Sequence, residues 1–249
     1  MEAKEARACP RCEAMHLTTR IALLCLAICS SATAAVYHVD SAGGDDAASG
    51  LSPEQAWRSL EKANAVELKP GDQLLFKAGG RWTGQFRPKG GGNAGSRVMI
   101  GRYGDGPLPR IDGEGRHADA VLLKNVPFVE IADLEITNQG EERAPWRTGV
   151  KVHADGVGAL KDIHLRRLFV HDVNGDLRKS HEGCGIYFEA TGGNETRFDG
   201  LFIEDCRVER TDRNGICQRG HGRTRSTNIV IRGNTLEDIG GDGIKLWGT

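Results

Sequence analysis

The most regular pattern in the chain is a set of four segments in which apolar residues recur at fixed places. The segments align without gaps, and their starts are 34, 38 and 28 residues apart. Such self-similarity predicts a repeated structural unit that stacks on its neighbours. The apolar columns are Val129, Ile163, Leu201 and Ile229 at the first position, Ile131, Leu165, Ile203 and Ile231 at the third, and Ile136, Val170, Val208 and Leu236 at the eighth.

A second series follows these segments, and each member begins with a glycine. The members are "GVKVHA" from Gly149, "GIYFEA" from Gly185, "GICQRG" from Gly215 and "GIKLWG" from Gly243. The alternation of period two after each glycine is typical of a β-strand. The outward positions predict two ladders of side chains: Lys151, Tyr187, Cys217 and Lys245, and beside them His153, Glu189, Arg219 and Trp247.

Short strands joined by loops of variable length cannot bury their apolar faces alone. Stacked in register, however, they enclose one continuous interior, with each rung hydrogen-bonded to the next. The pattern therefore predicts an all-β fold, a parallel β-helix or solenoid. A sandwich or barrel would need hairpins between antiparallel neighbours, and a leucine-rich repeat would need a helical half.

The region before the repeats predicts a short capping α-helix. In "LSPEQAWRSLEKANAVELKPGD", Ser52 is the expected N-cap, with Pro53 at the first helical position and Gln55 completing a capping box. Trp57 and later apolar residues form one stripe. We expect this helix to cover the open end of the solenoid. Residues 35–125 are then cap and first rungs, and 126–249 are regular rungs.

Residues 1–34 predict an upstream extension and a cleaved signal peptide. Arg20 precedes an apolar run, and "ATA" places cleavage near Ala34. We therefore expect a secreted or periplasmic protein with no membrane attachment after cleavage. No closing element follows the strand at 244–247, so the sequence predicts a piece of a longer β-helix, monomeric when whole.

Composition narrows the classes of partner. The chain has 33 basic and 34 acidic residues, which argues against a nucleic-acid-binding surface. Its 34 glycines suit a fold with many tight turns. Three cysteines remain after cleavage, so at most one internal disulfide is expected, and Cys206 is expected in the core.

The opening block of the mature chain resembles a known group of proteins. The stretches "VYHVDSAGGDDAASGLSPEQAWRSLEKAN", "LKPGDQLLFKAGGRWTGQF" and "IGRYGDGPLPRIDG", followed by the glycine-led rungs, are similar to secreted right-handed parallel β-helix proteins of the pectate-lyase-like superfamily. The resemblance runs from residue 36 to the end. It implies a right-handed coil and activity on polysaccharides as a lyase, glycoside hydrolase or epimerase, or a role as an adhesin or phage tailspike.

The loops before the glycine-led strands carry the candidate chemistry. A hydrolase needs paired carboxylates, and the candidates are Asp212, Asp242 and Glu182. The two aspartates are also ordinary turn residues. The aromatic side chains of Trp146 and Trp247 are suited to stacking on sugar rings. The expected substrate-binding residues are Arg213, Lys245, His181, Tyr187, Arg219, Trp247 and Arg147.

Three functions stay open on the sequence alone. We favour hydrolysis of glycosidic bonds in a polysaccharide, because carboxylates are frequent in these loops and a dense Lys/Arg ladder is absent. Hydrolysis requires no cofactor, and no metal site is predicted. A lyase would instead use Lys245, Arg213 and Arg219 on a uronate, with Ca²⁺ as an optional ion. A non-catalytic carbohydrate-binding or adhesin β-helix is the third reading.

Overall fold

Nearly all regular structure in the chain consists of β-strands that pair in parallel. The computed structural model describes residues 33–177, 183–220 and 225–247, and the chain from Ala34 onward forms one unit. The strands are β1 (Val36–Val39), β2 (Glu67–Leu68), β3 (Gln73–Lys77), β4 (Arg81–Thr83), β5 (Lys89–Gly90), β6 (Val98–Tyr103), β7 (Arg110–Asp112), β8 (Asp119–Lys124), β9 (Val129–Ala132), β10 (Glu135–Asn138), β11 (Thr148–Asp155), β12 (Ala159–Arg166), β13 (Phe169–Val173), β14 (Cys184–Thr191), β15 (Arg197–Glu204), β16 (Arg207–Thr211), β17 (Asn214–Gly220), β18 (Thr227–Arg232), β19 (Thr235–Ile239) and β20 (Ile244–Leu246).

Three sheets carry the coil. Among the described residues, a seven-stranded sheet has the order β1-β3-β6-β9-β12-β15-β18, and a six-stranded sheet runs β19-β16-β13-β10-β7-β4. A five-stranded sheet, β20-β17-β14-β11-β8, closes the third side, and β2 pairs with β5 separately. Consecutive strands such as β9, β10 and β11 thus enter three different sheets, and the next three strands repeat the circuit. This all-parallel arrangement is that of a β-helix and confirms the expected all-β class.

The register agrees with the columns read from the sequence. Ile163 pairs with Val129 and with Leu201, and Leu201 pairs with Ile229. The third and eighth columns pair in the same way. In the first three of the four aligned segments these residues are fully buried, so the columns form the stacked interior of the coil.

From β6 onward each rung contains three strands, one more than the sequence pattern indicates. The ten-residue segments are two strands with a bend between them, and the fifth residue of each segment has a left-handed backbone. These residues are Asp133 (φ 57°), Arg167 (φ 49°), Asp205 (φ 55°) and Gly233 (φ 67°). Aspartate and glycine adopt this conformation readily. Arg167 is an unusual choice, which is why the bend is hard to see in the sequence.

The glycine column has a steric cause. A Cβ at Gly149 would lie 2.4 Å from a methyl of Val170, and one at Gly185 would lie 2.4 Å from a methyl of Val208. At Gly215 the corresponding approach is 2.6 Å, to Leu236. Each glycine therefore lets the third sheet approach the apolar residue of the second sheet in the next rung.

The helical region differs from the expected capping box. Ser52 precedes only a 3-10 turn at Pro53–Gln55, and its side chain makes no capping hydrogen bond. The α-helix, α1 (Leu60–Ala65), begins seven residues later, where the Ser59 hydroxyl accepts from the Lys62 backbone N–H at 3.1 Å. The predicted stripe is correct, because Trp57, Leu60 and Ala63 are all buried. Within the described ranges, no helix is long and apolar enough to cross a membrane.

Candidate functional site

A polar cavity of about 220 Å³ opens on the outer face of the five-stranded sheet. Along these strands, the residues that line the cavity alternate with core residues such as Val150 and Val152. The same strands therefore fill the core and form the cavity wall. Its lining residues come from β11, β14, β17 and the loop before β11: Trp146, Thr148, Lys151, Tyr187, Glu189 and Arg219.

Of the two side-chain ladders expected from the sequence, the first pairs in full, and the second pairs for three of its four members, because β20 ends at Leu246, before Trp247. Lys151, Tyr187, Cys217 and Lys245 occupy paired positions on successive strands, as do His153, Glu189 and Arg219. Two members of the first ladder are less exposed than expected. Tyr187 is 3% exposed and Cys217 is fully buried, and both pack against Cys184 in a small apolar cluster outside the main core.

Glu189 is the carboxylate at the centre of the cavity. Lys151 Nζ lies 2.7 Å from Glu189 Oε1, and the Tyr187 hydroxyl donates to Glu189 Oε2 at 2.9 Å. Burial of Glu189 opposes its ionisation, but the hydrogen bond and charge of Lys151 outweigh burial, and the pKa of Glu189 is lowered. Burial and the charge of Glu189 raise the pKa of Tyr187, so its hydroxyl stays protonated and donates.

His153 flanks the same carboxylate. Its Nε2 lies 2.7 Å from Thr191 Oγ1 and 3.7 Å from Glu189 Oε1. Burial lowers the pKa of His153, and the charge of Lys151 adds to that effect against the attraction of Glu189. The imidazole is therefore neutral at neutral pH.

A second carboxylate lies behind the cavity wall. Asp119, at the start of β8, is 7% exposed and accepts a hydrogen bond from the Thr148 hydroxyl at 2.8 Å. Burial raises the pKa of Asp119, and the charge of Glu189 raises it further, against the opposing effects of Lys151 and Thr148. The two carboxyl groups near this cavity are thus pushed in opposite directions, as in sites that pair an acid with a base.

Of the three predicted catalytic residues, the two that the structure describes, Asp212 and Asp242, do not line this cavity. Asp212 lines a separate cavity of about 560 Å³, where Arg143 Nε contacts Asp212 Oδ2 at 2.6 Å. The Asp242 carboxylate is exposed and lies 3.8 Å from Lys245 Nζ. Glu182, together with the predicted ligand residue His181, lies outside the described residues.

Six of the seven predicted substrate-binding residues are described by the structure, and two of the six line the small cavity. Tyr187 and Arg219 line the small cavity. Lys245 Nζ lies 4.8 Å from the ring centroid of Trp247, which is 52% exposed one rung away. Arg147 is 5% exposed and directs its guanidinium to the backbone carbonyls of Gly115, Glu142 and Asn174, and Arg213 is half-buried beside Gly241.

Sequence reasoning placed Glu189 and Lys151 in the ladders but did not select them as site residues. The signal was available, because a carboxylate flanked by lysine and histidine on neighbouring rungs predicts a buried ion pair. The sequence gives no comparable indication of Asp119. That residue begins β8, and the strand has an alanine where the later strands have the leading glycine, so it does not align with them by eye.

Comparison with known proteins agrees with the fold. No protein-family description matches the sequence. A lacto-N-biosidase of Bifidobacterium longum subsp. longum is 27% identical over 304 aligned positions, which cover 87% of this chain and 19% of that protein. The chain therefore spans about a fifth of this curated relative.

Two solved structures of a GH136 lacto-N-biosidase from Eubacterium ramulus are similar to this chain. They have 30% identity and TM-scores of 0.76 and 0.75, and the matches cover 85% of this chain and 43% and 42% of theirs. A rhamnogalacturonan lyase has a TM-score of 0.57 at 12% identity over 86% of this chain and 62% of its own, which is a likeness of fold. The expected resemblance to carbohydrate-active β-helix proteins is confirmed.

Proposed function

We propose that this chain is part of an enzyme that hydrolyses glycosidic bonds, and that the reaction takes place in the cavity around Glu189. The observation that carries the proposal is the geometry at Glu189, an ionised carboxylate held by Lys151 and Tyr187 in a concave site with an aromatic wall. Carbohydrate sites combine these features, and hydrolysis requires a carboxylate that is charged at the working pH. The similarity to lacto-N-biosidases supports the same class of reaction.

The two carboxyl groups would divide the chemistry between them. Asp119, whose pKa is raised, would give its proton to the Thr148 hydroxyl oxygen as that hydroxyl gives its own proton to the departing glycosidic oxygen, so that Asp119 becomes the carboxylate and Thr148 ends as a hydroxyl. Glu189, whose pKa is lowered, would act at the anomeric carbon as nucleophile or as base for water. In the net reaction the C–O bond breaks, the leaving oxygen gains a proton, and the hydroxyl of water stays on the anomeric carbon.

The substrate class that we propose is an oligosaccharide carrying a lacto-N-biose unit. It comes from the names of the relatives and not from a contact in this chain. Further parts of the proposal are a right-handed coil, α1 as a cap over the first rung, export by a signal peptide in residues 1–34, and a monomeric state. If the enzyme proved to be a lyase, Ca²⁺ would be an added expectation.

The test is turnover of the p-nitrophenyl glycoside of lacto-N-biose by the purified chain and by three variants. We expect Glu189→Gln and Asp119→Asn each to lower kcat by about 10²-fold or more, the usual contribution of a group that transfers a proton or acts on the reacting carbon. Asp212→Asn is the matched control, because the Asp212 carboxylate, like that of Glu189, pairs with a basic side chain, here Arg143, but it lines another cavity. It should leave turnover unchanged.

Two results would overturn the proposal. If Asp212→Asn abolished turnover while Glu189→Gln did not, the site would be the larger cavity. If uronate-containing glycans yielded products with unsaturated ends that absorb ultraviolet light, the reaction would be elimination and hydrolysis would be rejected.

A further inference from the structure

The loop from Gln139 to Arg147 is attached to the neighbouring rungs by the buried guanidinium of its last residue, Arg147. The Arg147 guanidinium donates to the carbonyl oxygens of Glu142 at 2.7 Å, Asn174 at 3.0 Å and Gly115 at 2.9 Å, and also to the Asn174 side-chain oxygen. These acceptors belong to two neighbouring rungs and to the loop itself. Arginine is suited to this role because its planar fork satisfies several acceptors at once and keeps its charge.

Glycines leave the space that this guanidinium fills. A Cβ at Gly140 would lie 2.9 Å from Arg147 Nη2, and a Cβ at Gly115 would lie 3.0 Å from Arg147 Cζ. Asn174 closes the arrangement, accepting from the Gly140 N–H at 2.8 Å and donating to the Gly140 carbonyl at 2.6 Å. The close fit of Arg147, Gly140, Gly115 and Asn174 shows that this anchor helps to fix the position of the loop.

The residue next to the anchor has an unusual backbone. Trp146 has φ of 61°, a conformation that costs a bulky residue free energy and that persists only where the surroundings enforce it. Trp146 is 36% exposed and forms one wall of the cavity. The guanidinium carbon of Arg219 lies 5.2 Å from the Trp146 ring centroid, which supports one side of the indole.

We propose that Arg147 is a positioning residue that holds Trp146 in its left-handed conformation, so that the indole forms a stacking platform for a neutral pyranose ring beside Glu189. The inference builds on the proposed function by naming how the sugar is held. An indole face attracts the C–H face of a pyranose, and the rigidity of the loop lowers the ordering penalty on binding. The reacting carboxyl groups are unaffected, so the platform acts on binding.

The test measures binding separately from catalysis. Lacto-N-biose is titrated by calorimetry into the Glu189→Gln protein and into the same protein carrying Trp146→Asn, because asparagine tolerates a positive φ and lacks the ring. We expect the second change to weaken affinity at least about tenfold. Leu51→Ala is the control, because Leu51 is an exposed apolar residue that does not line the cavity, and it should leave affinity unchanged.

Arg147→Lys on the otherwise unchanged enzyme tests the anchor. We expect KM to rise about as much as in Trp146→Asn while kcat falls little, because lysine cannot reproduce the guanidinium fork. A purely structural role would change stability without this split. Equal affinity of Trp146→Asn and its parent would overturn the platform, even if hydrolysis were confirmed. Binding that depends on Trp146 without turnover would leave the platform standing and reject the catalytic proposal.

Discussion

A single methyl group at the glycine column should disturb the coil measurably. In Gly185→Ala, the new Cβ would lie 2.4 Å from Val208 Cγ1 and 2.9 Å from the Gly215 carbonyl oxygen. Carbon atoms in contact prefer about 3.5–4.0 Å, so β14 must move away from the second sheet. Overpacking of this kind costs about 1–3 kcal/mol of unfolding free energy. For a chain of this size that corresponds to a fall in Tm of roughly 2–12 °C.

The assay is thermal unfolding followed by circular dichroism, with two further proteins that test the cause. Gly101→Ala places a Cβ in β6 at an ordinary 3.5 Å from the Ala132 carbonyl and should leave Tm nearly unchanged. Gly185→Ala combined with Val208→Ala removes the clashing methyl, so the double variant should lose less unfolding free energy than the sum of the two single losses, by roughly 1 kcal/mol. Simple additivity, or equal tolerance of Gly185→Ala and Gly101→Ala, would refute the steric account.

Three other properties can be checked on the same protein. Ser59→Ala should lower the unfolding free energy by about 1 kcal/mol, because it removes the hydrogen bond from the Lys62 N–H, whereas Ser52→Ala should leave it unchanged. A larger loss for Ser52→Ala than for Ser59→Ala would contradict this and favour the capping box expected from the sequence. The pKa of Asp119 is raised by folding, so its contribution to stability is present at low pH and is lost as pH rises above the ordinary value. Asp119→Asn should therefore match the parent in Tm near pH 3 and exceed it at pH 7–8, and a difference independent of pH would contradict this. Burial raises the pKa of Cys206 to about 11, so iodoacetamide at pH 8 should modify that residue only after unfolding, as judged by peptide mass spectrometry, and rapid native labelling would contradict its burial.

Much of the fold was predictable because the coil repeats one set of contacts. A column such as Ile131, Leu165 and Ile203 must share one environment, so four imperfect copies report the register together. The bend inside each segment was not predictable, because its left-handed residue is Arg167 in one rung. The helix start was misplaced for a related reason. Ser52-Pro53 fits the capping rule, but the chain uses Ser59.

The candidate site was less predictable than the fold. Aligning the glycine-led strands brought Tyr187, Glu189 and Arg219 to neighbouring rungs, which the structure confirms. Which carboxylate is buried, paired and beside an aromatic wall depends on loop geometry, and loops are where the repeats differ. The prediction of Asp212 and Asp242 as catalytic residues rested on loop position alone, and they stay candidates.

The position of a bound sugar tests the central claim most directly. A crystal structure of the Glu189→Gln protein soaked with lacto-N-biose should show the sugar in the small cavity, with a ring against Trp146 and the anomeric carbon beside residue 189. Density for the sugar in the larger cavity beside Asp212 and Arg143, with the small cavity filled by water, would contradict the account.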